Sequence, residues 1–275
     1  MTDQKQADTI AAFEEEWQSF DYSGARGEQL ASVFERYFSV FPWNELPDEA
    51  AGFDAGCGTG RWARFVAPRV HRLHLVEPGR VLEVARRNLG HLPNCEFHQG
   101  WLENLPFEPG SMDFGYCLGV LHHLPRPEAG MAACAEALKQ DAPMLVYLYY
   151  DLSDRHPLYR AIWRLTDLVR RGISRLPAGP RKAVCSIIAA LVYLPLARLA
   201  WLLEKIGIKP DFLPLSFYRD MPFYVMRTDA LDRFGTPIEW RYSRADVETL
   251  MTGAGFRDIT FFDGEPYWCA VGYRA

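Results

Sequence analysis

The chain has 275 residues, 49% of them hydrophobic and 24% charged, with a formal net charge of −5. That is enough for one sizeable core plus a smaller appended domain, and the acidic balance argues against a nucleic-acid partner. Six scattered cysteines, with no CxxC pair and no metal-ligand spacing, point to reduced thiols in the cytoplasm and to no metal site.

The polar start, MTDQKQADTI, lacks the apolar region of a signal peptide. Residues 9–41 read as helical, with Phe13, Trp17 and Phe20 on one side and then Leu30, Val33, Phe34, Tyr37 and Phe38 at helical spacing. Two prolines interrupt before a short strand, AGFDA, and strands and helices then alternate. Arg61–Val70 is a helix, RLHLVEP a strand, Val81–Leu89 a helix, and CEFHQG and MDFGYCLG are strands. Glu128–Leu138 is a helix and PMLVYLYY a strand. Such alternation predicts an α/β, Rossmann-like, doubly wound and mainly parallel sheet.

Residues 151–239 break the rhythm. Arg155–Lys182 carries seven arginines and one lysine against one acid, Asp167, and the apolar run 183–203 has Arg198 as its one charge. An aromatic, irregular stretch follows. After Trp240 the pattern resumes with a helix capped by Ser243 and Asp246, a shorter-armed capping box, and then two strands. The organisation expected is a helical cap (1–50), a Rossmann-like core (51–150), a helical and aromatic lid insertion (151–239) and completion of the core sheet (240–275).

A strand ending at Asp54, the turn Gly56-x-Gly58-x-Gly60 and a following helix describe a nucleoside-binding crevice, because glycine lets backbone approach a ligand with no Cβ in the way. Glu77, at the end of the next strand, can accept hydrogen bonds from both ribose hydroxyls. The glycines run GxGxG rather than GxGxxG, and an acid precedes the turn, where it would repel a pyrophosphate but suit an ammonium. The pattern therefore favours S-adenosylmethionine.

DAGCGTG, VEP, LENLPFEPGSMDFGYCLGVLHHL and RYSRADVETLMTGAGF resemble the successive motifs of Rossmann-fold (class I) S-adenosylmethionine-dependent methyltransferases, in the group of ubiquinone-pathway and natural-product enzymes. The resemblance covers residues 51–150 and about 240–275. It implies that Asp54, Gly56 and Gly58 line the methionine moiety and that Glu77 holds the ribose. Trp101 replaces the family's usual Asp, so its ring is expected beside adenine with the Leu102 N–H on a ring nitrogen. Cys117 and Leu118 match positions whose backbone lies beside the methionine part, with the Cys117 thiol read as packing.

In-line transfer from a sulfonium mainly requires alignment, together with removal of a proton from some acceptors. His122 and His123, past the fourth strand, are the candidate general bases, since histidine titrates near neutrality; the alternative is that they cap a helix or bond backbone. Tyr149 and Tyr150 end the fifth strand as candidate substrate contacts, though one of two adjacent strand residues points away. Trp17 and Phe20 either close over the cofactor or pack on the sheet edge.

The insertion is where the acceptor is chosen. Leu158, Ile162, Leu165 and Val169 recur at helical spacing, with Arg160, Arg164, Arg170 and Arg171 elsewhere around the helix. The apolar run is long enough to span a bilayer, but a single span would put the two halves of one sheet on opposite sides. Two arrangements remain. Either the run is buried in a lid, which the liability of an exposed apolar patch favours, or residues 155–207 make peripheral contact with the inner face of an anionic membrane. Both imply a small, partly apolar or lipid-linked acceptor, methylated on oxygen. The alternative is a cofactor-binding scaffold or regulator without transfer; RNA and arsenite methylation fit less well.

Overall fold

The computed structural model describes residues 27–152, 157–210, 212–264 and 268–275. Phe13, Trp17 and Phe20 lie outside these. A seven-stranded sheet runs in the order β3-β2-β1-β4-β5-β7-β6. Its strands are β1 (Ala51–Ala55), β2 (Arg72–Glu77), β3 (Cys95–Gln99), β4 (Phe114–Leu118), β5 (Pro143–Tyr147), β6 (Phe256–Phe261) and β7 (Cys269–Arg274). β1 to β5 pair in parallel, and β7 runs antiparallel to both β5 and β6.

One face of the sheet buries Phe53, Cys117, Met144 and Val146 against α4 (Pro127–Ala137) and α9 (Arg244–Gly253). The other buries Leu73, Leu75, Phe114, Tyr116 and Leu145 against α1 (Gly27–Tyr37), α2 (Ala63–Val66) and α3 (Leu82–Leu89). β1 and β4 approach through complementary Phe/Gly pairs. A Cβ on Gly52 would lie 2.3 Å from the Phe114 ring, and one on Gly115 would lie 2.4 Å from the Phe53 ring. The Ser243 capping box forms as expected, with Asp246 N–H donating to Ser243 Oγ at 3.2 Å and Ser243 N–H to Asp246 Oδ2 at 2.8 Å. In this strand order the chain reverses direction of build between β1 and β4, so a crevice opens at their carboxyl ends.

The chain divides into two compact units, residues 1–154 with 238–275, and residues 155–237. The second contains α5 (Pro157–Ile173), α6 (Ala178–Ile188), α7 (Leu194–Lys205) and α8 (Phe223–Gly235). A π turn at Ala189–Tyr193 joins α6 to α7, where Pro195 contributes no N–H. The stretch expected to be irregular holds α8, whose Met226, Ala230 and Phe234 recur every fourth residue on its buried side.

Within its own unit the apolar run is mostly turned outward. From Ala178 to Lys205 the helical segment is 28% buried over its most apolar window, and Ile187, Leu191, Val192, Leu199, Trp201 and Leu202 are exposed. The buried positions are Arg181, Cys185, Ala189, Tyr193, Ala197 and Ala200, of which Cys185, Ala189, Tyr193 and Ala197 pack in one cluster with α8. α5 shows the same inversion: Ile162, Leu165, Leu168 and Val169 face outward, while Arg170 and Asp167 are buried. Arg170 Nε donates to Asp167 Oδ1 at 2.7 Å and an Arg170 terminal N–H to the Thr236 carbonyl at 2.9 Å. Small side chains let helix backbones approach closely, and the paired charges replace water inside the unit.

Candidate active site

β1 carries Asp54 to the carboxyl edge of the sheet, 2% exposed and opposite Tyr116 of β4. Its Oδ2 has no hydrogen-bond partner. Burial, helped by the nearby Glu77 charge, raises its carboxyl to about 8, while the Tyr116 hydroxyl and Arg61 pull the other way. A buried carboxylate oxygen without a donor is costly, so the position calls for a cation.

The turn that follows has positive φ at Gly56, Gly58 and Gly60 (83°, 54° and 79°). Gly56 is hemmed in, since a Cβ there would meet Val120 at 2.6 Å, whereas a Cβ on Gly58 would meet nothing within 4 Å. Gly56 and Cys57 N–H both donate to the Val76 carbonyl, at 2.9 and 3.1 Å, which ties the turn to the end of β2. Glu77 lies next along. It accepts from Gly58 N–H at 3.1 Å and from Gly79 N–H at 3.4 Å. Both bonds use backbone N–H donors and fix the carboxylate at the mouth of the turn. Gly100 N–H donates to the Glu77 carbonyl at 3.3 Å, bringing Trp101 alongside; its side chain is exposed, whereas Leu102 is buried. Asp54, the glycine turn, Glu77 and Trp101 thus share one edge.

The residues fit S-adenosylmethionine on an observation of the chain itself. The unpartnered Asp54 oxygen answers an ammonium, the open space at Gly58 admits a ligand against backbone, and Glu77 offers acceptors to ribose. Cys117 and Leu118 are both buried, on opposite faces of the sheet, and Cys117 packs among Ala55, Leu121 and Met131. Burial pushes its thiol up, as expected of packing.

The second group lies at the ends of β4 and β5. His122 is fully buried, neither ring nitrogen has a hydrogen-bond partner, and its ring stacks on Tyr149 with centroids 3.8 Å apart. Burial, with His123 and Arg241 beside it, holds its imidazole well below the usual range, so it is neutral at pH 7. His123 Nδ1 lies 2.7 Å from the Ile238 carbonyl, so Nδ1 carries the N–H of that contact. Neither histidine caps α4, whose N-terminus has no side-chain cap. Tyr150 turns the opposite way from Tyr149, with its ring 6.4 Å from Trp268, so it stands apart from the histidine pair.

Sequence reasoning missed several neighbours. Tyr37 of α1 meets both Trp62 (5.0 Å) and Tyr147 (4.9 Å). Arg241 lies over the Tyr149 ring at 5.1 Å and donates to Glu239 Oε1 at 2.8 Å. Glu239 and Arg241 belong to the strip that re-enters the first unit; Arg241 opens the RYSRADVETLMTGAGF stretch, but nothing local tells which side chains it meets.

The family described as "Methyltransferase domain" matches residues 53–141. The chain is 34% identical over 96 residues to 2-phytyl-1,4-naphtoquinone methyltransferase of Thermosynechococcus vestitus, covering 30% of this chain and 40% of that protein. It is 31% identical over 99 residues to the Mus musculus protein named "Probable tRNA methyltransferase 9B", covering 35% and 21%. The chain spans between 21% and 40% of the length of the curated relatives it matches. Among solved structures, a chain of the Haloferax volcanii complex formed with the Trm112 methyltransferase activator superimposes with a TM-score of 0.52 at 11% identity. That match covers 94% of this chain and 96% of the other, and it shows the fold.

Proposed function

Residues 53–141 being a methyltransferase domain of the class I, S-adenosylmethionine-dependent type, we propose that the chain transfers a methyl group to an oxygen of a partly apolar or lipid-linked acceptor. The observation that carries the cofactor half is the buried Asp54 oxygen without a donor, set against the Gly56–Gly60 turn. When bound, the cofactor supplies a methyl on a sulfonium, already activated for in-line displacement. Asp54 would hold its ammonium, Glu77 its ribose hydroxyls, and Trp101 with Leu102 its adenine. Glu77 also accepts from Gly58 N–H, so ribose recognition and the shape of the turn are one feature.

His123 is the proton acceptor in this reading. Its Nδ1 donates to the Ile238 carbonyl, and a base steered by a second group is the usual arrangement for general-base work. His122 is too deeply buried to serve as a strong base, and its unpartnered ring nitrogens suit a hydrogen bond from an acceptor hydroxyl. Tyr149, stacked on His122, sets that ring's plane.

The apolar acceptor half rests on the second unit. Met226, Leu231 and Phe234 of α8 fill its interior, but along α5, α6 and α7 small residues and the ion pair lie mostly inside and many large apolar side chains outside, the arrangement of helices that face lipid. Arg160, Arg164, Arg171, Arg175, Lys182 and Lys205 flank those apolar positions and suit anionic headgroups on the cytoplasmic face of a membrane. Embedding at the interface, rather than spanning, agrees with one sheet built from both sides of the insertion.

Calorimetric titration with S-adenosylmethionine and S-adenosylhomocysteine, repeated on Glu77→Ala, tests the cofactor site. Micromolar binding by the intact chain, weakened at least about tenfold in the variant, supports it, since hydrogen bonds to a charged group contribute roughly 1.5–3 kcal/mol each. No binding by the intact chain overturns the reading, and binding with no methyl transfer to any acceptor favours the scaffold. Acceptor screening follows, lipid-linked phenols and alcohols first, with methyl transfer lost in His123→Ala.

A further inference from the structure

We propose that His74, Glu96 and His98 form a binding site for one first-row divalent cation, with Zn2+ the best match. His74 Nδ1, His98 Nε2 and Glu96 Oε2 all lie within 4.8 Å of one another. The separations are 3.0 Å between the two ring nitrogens, 3.3 Å from His74 to the carboxylate and 4.0 Å from His98 to it. Zn2+ bound tetrahedrally at about 2.0–2.1 Å places its ligand atoms about 3.4 Å apart, the middle of that range.

The sheet builds the site. His74 of β2 pairs with Glu96 of β3, and Val76 pairs with His98, so alternation along parallel strands puts all three donors on one face. The Phe107 ring walls them, 5.3 Å from the His74 ring and 5.7 Å from that of His98. The second oxygen of Glu96 is taken by Arg72 Nε at 3.3 Å, which turns Oε2 toward the imidazoles and resembles the outer contacts that orient metal-binding carboxylates. Arg72 therefore sits behind the carboxylate. His74 is buried, while His98 and Glu96 are partly exposed, which gives an ion a way in and room for water as a fourth ligand.

Two imidazoles and one carboxylate are a donor set that Zn2+ favours and that Mg2+ and Ca2+, which prefer oxygen, do not. No cysteine takes part, so cysteine spacing could not reveal the site, and the sequence separation of His74 from Glu96-x-His98 matches no local motif. β3 is the edge strand and runs directly into Gly100 and Trp101. A cation shared between β2 and β3 pins that edge in place. The assignment does not depend on methyl transfer or on the cofactor site.

The test uses the tag-free full chain without cofactor. Zn2+ is titrated in competition with a chromophoric chelator, Co2+ serves as the spectroscopic probe of coordination, and bound metal is counted after dialysis. The expected result is one Zn2+ per chain, with affinity falling at least about 10- to 100-fold in His98→Ala and in Glu96→Gln, as even outer-shell disturbance does at metal sites. His91→Ala, at an exposed histidine, leaves affinity unchanged. Both test positions are partly exposed, so their variants are expected to fold, which circular dichroism checks. Substoichiometric binding by the intact chain, or binding that His98→Ala and Glu96→Gln leave intact, overturns the site.

Discussion

Acidifying the solution from about pH 7.5 to pH 5.5 is expected to weaken S-adenosylmethionine binding far more than a surface charge could explain. Burial holds the free Asp54 carboxyl at about 8, so in the unliganded chain it carries a proton across this window. A cationic ligand requires the carboxylate, and binding must expel that proton. Each pH unit below 8 then costs about 1.4 kcal/mol, a factor of about ten in Kd. The two-unit change amounts to about 100-fold, provided the bound carboxyl returns to its ordinary range. The ligand's α-ammonium, with an ordinary value of about 7.7–8.0, is mostly charged across the window and adds only a small opposing slope, less than about twofold, near its upper end. Calorimetry in two buffers of different ionisation heat reads the same event independently, as release of nearly one proton per ligand. A Kd that is flat over the window, or a slope retained by Asp54→Asn, refutes the argument. The free chain's stability carries the opposite sign. A folded value above the ordinary one gives stability that is complete in acid and is lost as pH rises through about 8. The melting temperature of the free chain therefore falls from pH 5 to 8, and Asp54→Asn removes that part of the slope.

The two glycines of the turn separate folding from binding. Gly56→Ala brings a Cβ to 2.6 Å from Val120 at φ 83° and is expected to lower stability by about 2–3 kcal/mol in denaturant melts. Gly58→Ala meets nothing within 4 Å, so it costs about 1–2 kcal/mol for its φ alone, yet weakens cofactor binding in calorimetry because the new methyl stands where the ligand approaches. In the second unit, Asp167→Ala strips Arg170 of its buried partner and should cost about 3–5 kcal/mol, visible as earlier melting of the α5–α8 helices in hydrogen exchange. Leu191→Glu combined with Leu202→Glu alters side chains that are 72% and 54% exposed. It leaves the melting temperature nearly unchanged and lowers cosedimentation with anionic vesicles at least about tenfold; unchanged binding to vesicles would count against the membrane assignment.

The core was legible because its signals are local. Asp54, the GxGxG turn and Glu77 fall at strand ends that periodicity alone locates, and the backbone conformations at Gly56, Gly58 and Gly60 are ones that side chains disfavour. Alternating strands and helices imply the parallel sheet, and the Ser243–Asp246 cap is a four-residue feature. What stayed hidden depends on which surface meets which. Helical periodicity identifies an amphipathic face in α5 and an apolar run in α6 and α7, but not whether that face turns inward, and tertiary packing sent small residues and the Asp167–Arg170 pair inside. Tyr149 and Tyr150 are interchangeable in sequence and expected to end the fifth strand; β5 stops at Tyr147, and beyond it the fold sends Tyr149 to His122 and Tyr150 toward Trp268. The convergence of His74, Glu96 and His98 required the register of β2 on β3, because a one-residue slip would have moved one strand's donors to the other face of the sheet. Local chemistry thus marked the edge that holds Asp54, the glycine turn and Glu77 from sequence alone, and only long-range pairing could decide the orientation of the helices and the company each side chain keeps.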